Sequence, residues 1–115
     1  MGATSHHTSE IETLDPAEVG RLLEAGKVLL IDVREPAEYA AERIQGALLY
    51  PLSTFSARLL PPDGALRLVF HCAGGKRSLA AAEQRLAAGS AHAAHMGGGL
   101  AAWKTAGPPV IAPGT

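Results

Sequence analysis

The chain has 115 residues, of which 47% are apolar, 18% charged and 4% aromatic, enough for one compact domain and hardly enough for two. Ten basic against eleven acidic side chains leave a formal charge of -1, so there is no general pull toward nucleic acid or anionic lipid, and any attraction for anions has to be local. A single cysteine, Cys72, excludes an intramolecular disulfide framework and any zinc site built on two or more thiolates.

Residues 1–10 are Ser-, Thr- and His-rich and are expected to form a flexible N-terminal segment ahead of a folded unit spanning 11–110, with 111–115 as a tail. They lack the charged and apolar regions of a secretory signal, and no apolar run is long enough to span a membrane, so a cytoplasmic location is expected. The first helix signal is Asp15 as N-cap, Pro16 at the first helical position and Glu18 three residues on, a capping-box pattern. Val19, Leu22 and Leu23 then share a face, and Gly26 offers a left-handed stop. Val28 to Ile31 is apolar on both faces, as in a strand covered on two sides, and Asp32, Val33 and Arg34 stand at its carboxyl end.

Pro36 predicts a second short helix carrying Ala37, Tyr39 and Ala40, and Gly46 to Leu49 returns the chain to extended form. Ser53 can cap a helical turn through Phe55 and Leu59, Pro61 to Gly64 is a turn cluster, and Leu66 to Phe70 is a second strong strand. Ser78 to Ala88, rich in Ala and Leu and followed by Gly89, predicts a helix. Ala91 to Met96 has the length of a strand but poor strand composition, and is placed as one because the alternation of types requires it. Gly97 to Gly99 form a turn before a last helix with Leu100, Ala101 and Trp103, which Gly107, Pro108 and Pro109 end. The pattern is α/β, with a mainly parallel central sheet of about five short strands flanked by helices. In such sheets the ligand crevice lies beyond the carboxyl ends of strands, where Asp32 and Cys72 both fall.

The segment from Leu68 through His71 and Cys72 to Ala73-Gly74-Gly75-Lys76-Arg77-Ser78 runs from a buried strand through a small-residue loop into a helix. Small residues let the backbone curl until successive N–H groups face inward as an anion-holding nest, to which the helix adds its positive end. A cysteine there, beside Lys76 and Arg77, has the surroundings that lower a thiol pKa and make a nucleophilic thiolate.

These residues resemble the rhodanese (thiosulfate sulfurtransferase) homology domain over nearly the whole chain. Leu30-Ile31-Asp32-Val33-Arg34-Glu35-Pro36-Ala37-Glu38-Tyr39 is similar to its opening strand and helix, and Cys72 to Ser78 to its active-site loop. Gly98-Gly99-Leu100-Ala101-Ala102-Trp103, with Ala106-Gly107-Pro108-Pro109-Val110, is similar to its closing signature. The resemblance implies that Cys72 takes the outer sulfur of thiosulfate as a persulfide, releases sulfite and passes the sulfur to cyanide or a thiol, including a thiol protein of the thioredoxin kind. It implies that the Ala73 to Arg77 amides cradle the persulfide, that Arg77 closes the loop, and that Asp32 and Arg34 support the site; no metal or organic cofactor is implied. The alternatives are a non-enzymatic persulfide carrier or binding module and, on a similar fold, a cysteine-dependent phosphatase or arsenate reductase. Those enzymes place five residues between Cys and Arg to admit a tetrahedral oxyanion, whereas four, Ala73 to Lys76, stand here.

The chain departs from the family pattern at Arg43-Ile44-Gln45-Gly46-Ala47, where a His-Ile-Pro-Gly-Ala run is usual, and at Ser90, where an aromatic is common. Ser90, Ala91, Ala93 and Ala94 leave the fourth strand short of bulk, which predicts a weak sheet edge. His6 with His7, and His92 with His95, are too few and wrongly spaced for a metal site and are expected to be exposed. Trp103 is expected in the core, and the Gly97–Gly99 run lacks the spacing of a nucleotide-binding loop.

Overall fold

The structure is a computed structural model and describes residues 11–112. The sequence expectations for residues 1–10, including His6 and His7, and for 113–115 lie outside the described residues. Five parallel strands form one sheet: β1 (Ile11–Leu14), β2 (Val28–Asp32), β3 (Leu48–Leu49), β4 (Arg67–His71) and β5 (Ala93–Met96), in the order β1-β5-β4-β2-β3. Between them run α1 (Pro16–Glu24), α2 (Pro36–Ala41) and α3 (Lys76–Ala87), and α4 (Gly99–Ala106) follows β5.

Alternate residues of the central strands supply the two halves of the core, because side chains on a strand point to opposite faces in turn. Leu30, Val69, Ala94 and Met96 face one way and pack with Val19 of α1 and with Leu100 and Trp103 of α4. Ile31, Phe70 and Ala93 face the other and pack with Ala81 and Ala82 of α3. Cys72 belongs to this second cluster, so the sulfur is carried on the face that α3 covers. Trp103 is buried at 4% exposure and its indole N–H donates to the Pro109 carbonyl.

Several local expectations are corrected. The N-terminal strand β1 was not legible from Ile11-Glu12-Thr13-Leu14. It exists because it pairs along its whole length with β5, Ile11 to Ala93 through Leu14 to Met96. That pairing also puts β5 inside the sheet, between β1 and β4, so the small residues Ala93 and Ala94 are buried and do not form a weak edge. At α1, the Asp15 carboxylate accepts from the Glu18 amide at 2.8 Å, whereas the reciprocal capping box closes at α2, between Glu35 and Glu38. Ser53 caps no helix; two 3-10 turns, Leu52–Thr54 and Ala57–Leu59, take the place of the expected one, and the Ser53 hydroxyl donates to Glu35. Helix α3 begins two residues earlier than expected, at Lys76. Ile111, assigned to the tail, exchanges two backbone hydrogen bonds of 2.7 and 2.8 Å with Arg43 in an antiparallel bridge.

Candidate active site

Strand β4 ends in His71 and delivers Cys72 to the carboxyl edge of the sheet, level with Asp32, the register partner of His71 on β2. Gly75 turns the chain in the left-handed region, at φ 106°, and serves as the N-cap of α3. That turn points amides at the sulfur: the Gly75 N–H donates to Cys72 Sγ at 3.0 Å and the Ser78 N–H at 3.3 Å. A residue with a Cβ is strained at this φ, which is why glycine stands there.

The loop is gripped from behind by the first turn of α4. The amides of Leu100 and Ala101 donate to the carbonyls of Cys72 and Ala73 at 2.8 and 3.0 Å. Such close approach needs the glycines before them: a Cβ on Gly99, whose φ is +60°, would lie 2.4 Å from the Cys72 carbonyl oxygen. The Gly97–Gly99 run is thus the part of the fold that lets one helix N-terminus hold another helix's entry loop.

Cys72 is 1% exposed, so its sulfur forms the floor of the loop. Burial pushes the thiol pKa up, but the Ser78 hydroxyl and the amides of Ser78, Gly75 and Gly74 together outweigh it, and the net position is below that of an ordinary cysteine. Hydrogen bonds to Sγ come from Gly75 and Ser78, the latter beyond the Ala73–Arg77 amides that the resemblance implied. Gly74 and Lys76 are exposed at the loop surface, and Ala73 is half-buried.

The two loop cations differ. Arg77 is held by a two-pronged ion pair with Glu38 of α2, at 2.8 and 2.9 Å. The Arg77 hydrogen bonds draw the Glu38 pKa down to about 2, and Glu38 in turn raises that of Arg77. Lys76 makes no ion pair among the described residues. Arg77 therefore closes the loop by tying it to α2, and Lys76 with the amides is left to attract an anion.

Asp32 and Arg34 form a buried pair, with Arg34 Nη2 2.8 Å from the Asp32 carboxylate and its Nε at 3.0 Å. Arg34 also donates to the Glu42 carbonyl at the end of α2, at 2.7 Å, so the pair fixes the helix that carries Glu38. Neither hydrogen-bonds the sulfur; they support the site by holding its scaffold. His71 lies fully buried with Nε2 3.4 Å from Asp32, yet without hydrogen-bond geometry, and burial lowers its pKa despite the opposing pull of Asp32.

Three contributors were missed by sequence reasoning. Glu38 stood inside a quoted motif without a role. The glycines before α4 were assigned only a turn. His95, expected on the surface, is 6% exposed and lies 2.8 Å from the Ser78 hydroxyl. The signal available for His95 was its place among the apolar residues of a central strand. His92 does remain exposed, beside Asp63 at 3.3 Å, so the two histidines do not converge. A cavity of about 490 Å³ lined by Arg58, Asp63, Arg85 and His92 lies at the far end of α3 from Cys72.

A rhodanese-like domain model matches residues 15–106. The chain belongs to the rhodanese family. Of solved structures, a rhodanese-related protein of Thermoplasma volcanium is similar at a TM-score of 0.73 and 27% identity, covering 87% of this chain and 97% of that one. The sheet and helices described above are thus a rhodanese-like fold. An uncharacterized protein of Synechocystis is 37% identical over 99 residues, 86% of this chain and 55% of that one, so the chain spans about half of that relative. The thiosulfate sulfurtransferase GlpE of Pseudomonas fluorescens is 32% identical over 107 residues, 93% of this chain and 97% of that protein.

Proposed function

We propose that this rhodanese domain is a sulfurtransferase that moves sulfane sulfur from thiosulfate or a related donor to cyanide or a thiol through a persulfide on Cys72. The observation that carries the proposal is the pair of amides, Gly75 and Ser78, aimed at one sulfur atom whose pKa is lowered. The Cys72 thiolate attacks the outer sulfur of thiosulfate. A sulfur–sulfur bond forms to Sγ, the bond to the sulfonate breaks, and sulfite leaves with the electron pair. The acceptor then attacks the outer persulfide sulfur, taking it as thiocyanate or a new persulfide, and returns Cys72 as the thiolate. In each step one bond to the transferred sulfur forms as another breaks and the leaving group keeps the electron pair, so no external oxidant or reductant is consumed.

The similarity to GlpE along almost its full length supports thiosulfate as donor. With one cysteine in the chain, sulfur has to leave to an external acceptor, a small molecule or a thiol protein such as thioredoxin. Placement in the cytoplasm is part of the same proposal, since such acceptors are kept reduced there; no helix of the described residues is long and apolar enough to cross a membrane. Steady-state thiocyanate formation from thiosulfate and cyanide tests the proposal. Turnover by the native chain that vanishes in Cys72→Ser supports it, whereas turnover that survives the substitution, or none at all, contradicts it.

A further inference from the structure

Behind the sulfur, three polar side chains from separate elements stand in line. Thr13 Oγ1 of β1 is 3.3 Å from His95 Nε2 of β5, and His95 Nδ1 is 2.8 Å from Ser78 Oγ of α3. Ser78 Oγ in turn donates to the Gly75 carbonyl at 3.1 Å, and Gly75 is the residue whose amide donates to Cys72 Sγ. Ser78 is fully buried and His95 is 6% exposed, so bulk water does not compete at the contact between them, whereas Thr13 at the outer end of the line is exposed.

A hydroxyl has one proton, and that count decides the direction of the chain. If Ser78 gives its proton to the Gly75 carbonyl, the 2.8 Å contact with His95 requires the imidazole to donate from Nδ1. Nε2 is then bare and accepts from the Thr13 hydroxyl. One assignment satisfies every contact: Thr13 to His95, His95 to Ser78, Ser78 to the loop, and the loop amides to the sulfur. In the opposite tautomer Ser78 spends its proton on the imidazole, away from both the Gly75 carbonyl and the sulfur. Burial lowers the His95 pKa, consistent with a neutral ring that holds one tautomer.

We propose that His95 is a positioning residue for the Cys72 anion: as the Nδ1–H tautomer it donates to Ser78 and so commits the Ser78 proton to the side of the hydroxyl where the Gly75 carbonyl and the sulfur lie. The Ser78 amide already donates to Sγ and the Ser78 hydroxyl lowers the thiol pKa, so the side to which that one proton is turned sets how far the hydroxyl favours the anion. The inference deepens the sulfur-transfer proposal and rests on it for its purpose, but its physical content is a statement about the thiolate alone.

The tautomer is read directly from the imidazole nitrogen shifts of the 15N-labelled native protein, without substitution. A protonated Nδ1 and bare Nε2 at His95 are expected; the reverse overturns the proposal. The second measurement is the pH dependence of Cys72 alkylation. His95→Leu is expected to slow alkylation about fivefold at a pH below the thiol pKa, the effect of one lost hydrogen bond, whereas His95→Asn, which keeps a donor near the Nδ1 position, stays close to the native rate. Because His95 acts through Ser78, the double substitution His95→Leu with Ser78→Ala is expected to slow alkylation no more than Ser78→Ala alone. Additive effects, or a His95→Leu protein that folds and alkylates at the native rate, overturn it. Neither readout involves sulfur transfer, so a protein with the expected tautomer and alkylation profile that takes no sulfur from thiosulfate refutes the proposed function and leaves this inference standing.

Discussion

At the scale of single residues, the consequential finding is that the two loop cations are not equivalent. Glu38 occupies Arg77, so on the proposed function the donor's attraction to the loop falls on Lys76 and the inward amides. Lys76→Ala is therefore expected to raise the KM for thiosulfate about twofold to fivefold with little change in kcat, the range for one exposed charge, and Glu38→Gln to lower KM by releasing Arg77. Initial rates over a range of thiosulfate concentrations check both. The pH dependence follows from the sign of the shift. The Glu38 pKa is lowered to about 2, so the pair is complete above the ordinary carboxylate range and lost only as pH falls through that value. Across roughly pH 5 to 9 the difference between Glu38→Gln and the native protein is thus expected to stay constant. Cys72, Ser78 and the nest were legible in the sequence because nucleophile, glycines and helix start are neighbours in it. Glu38 and His95 were not, since each acts on a residue 39 or 17 positions away and nothing local marks the partner.

At the scale of elements, the site depends on one helix start gripping another helix's entry loop. Gly99→Ala would place a methyl group 2.4 Å from the Cys72 carbonyl at a φ of +60°. It is expected to lower stability by about 2–4 kcal/mol in denaturant titration and to raise the Cys72 pKa by shifting the loop away from its amides. Elements with their own strong signals, β2, β4 and α3, were legible because apolar runs and alanine-rich periodicity are local properties. Strand β1 and the position of β5 were not. Ala93-Ala94-His95-Met96 becomes a central strand only because β1 and β4 flank it, and a chain of small residues carries no mark of which strands will do so.

At the scale of the whole molecule, a net charge of -1 is compatible with the proposed anion-holding loop, because its inward field comes from main-chain N–H groups at one sheet edge and needs no excess of basic residues. Both ends of the described residues are tied into the fold: β1 pairs with β5, and Ile111 pairs with Arg43 just beyond α2. A parallel sheet was expected from the alternation of strands and helices, but the sequence carries no local mark of either pairing. Removal of residues from Val110 onward deletes the Ile111 bridge and the Val110 packing on the core. It is expected to cost about 1–3 kcal/mol and several degrees of Tm, leaving the Cys72 alkylation profile unchanged.

On the proposed function, the loop holds the Cys72 thiolate and, after reaction, a second sulfur bonded to it. Intact mass of the native protein after brief exposure to thiosulfate and removal of the excess is expected to rise by one sulfur atom, to return to its starting value on treatment with cyanide, and not to change in Cys72→Ser. An unchanged native mass, or the same gain in Cys72→Ser, would contradict the assignment of Cys72 as the sulfur-carrying nucleophile.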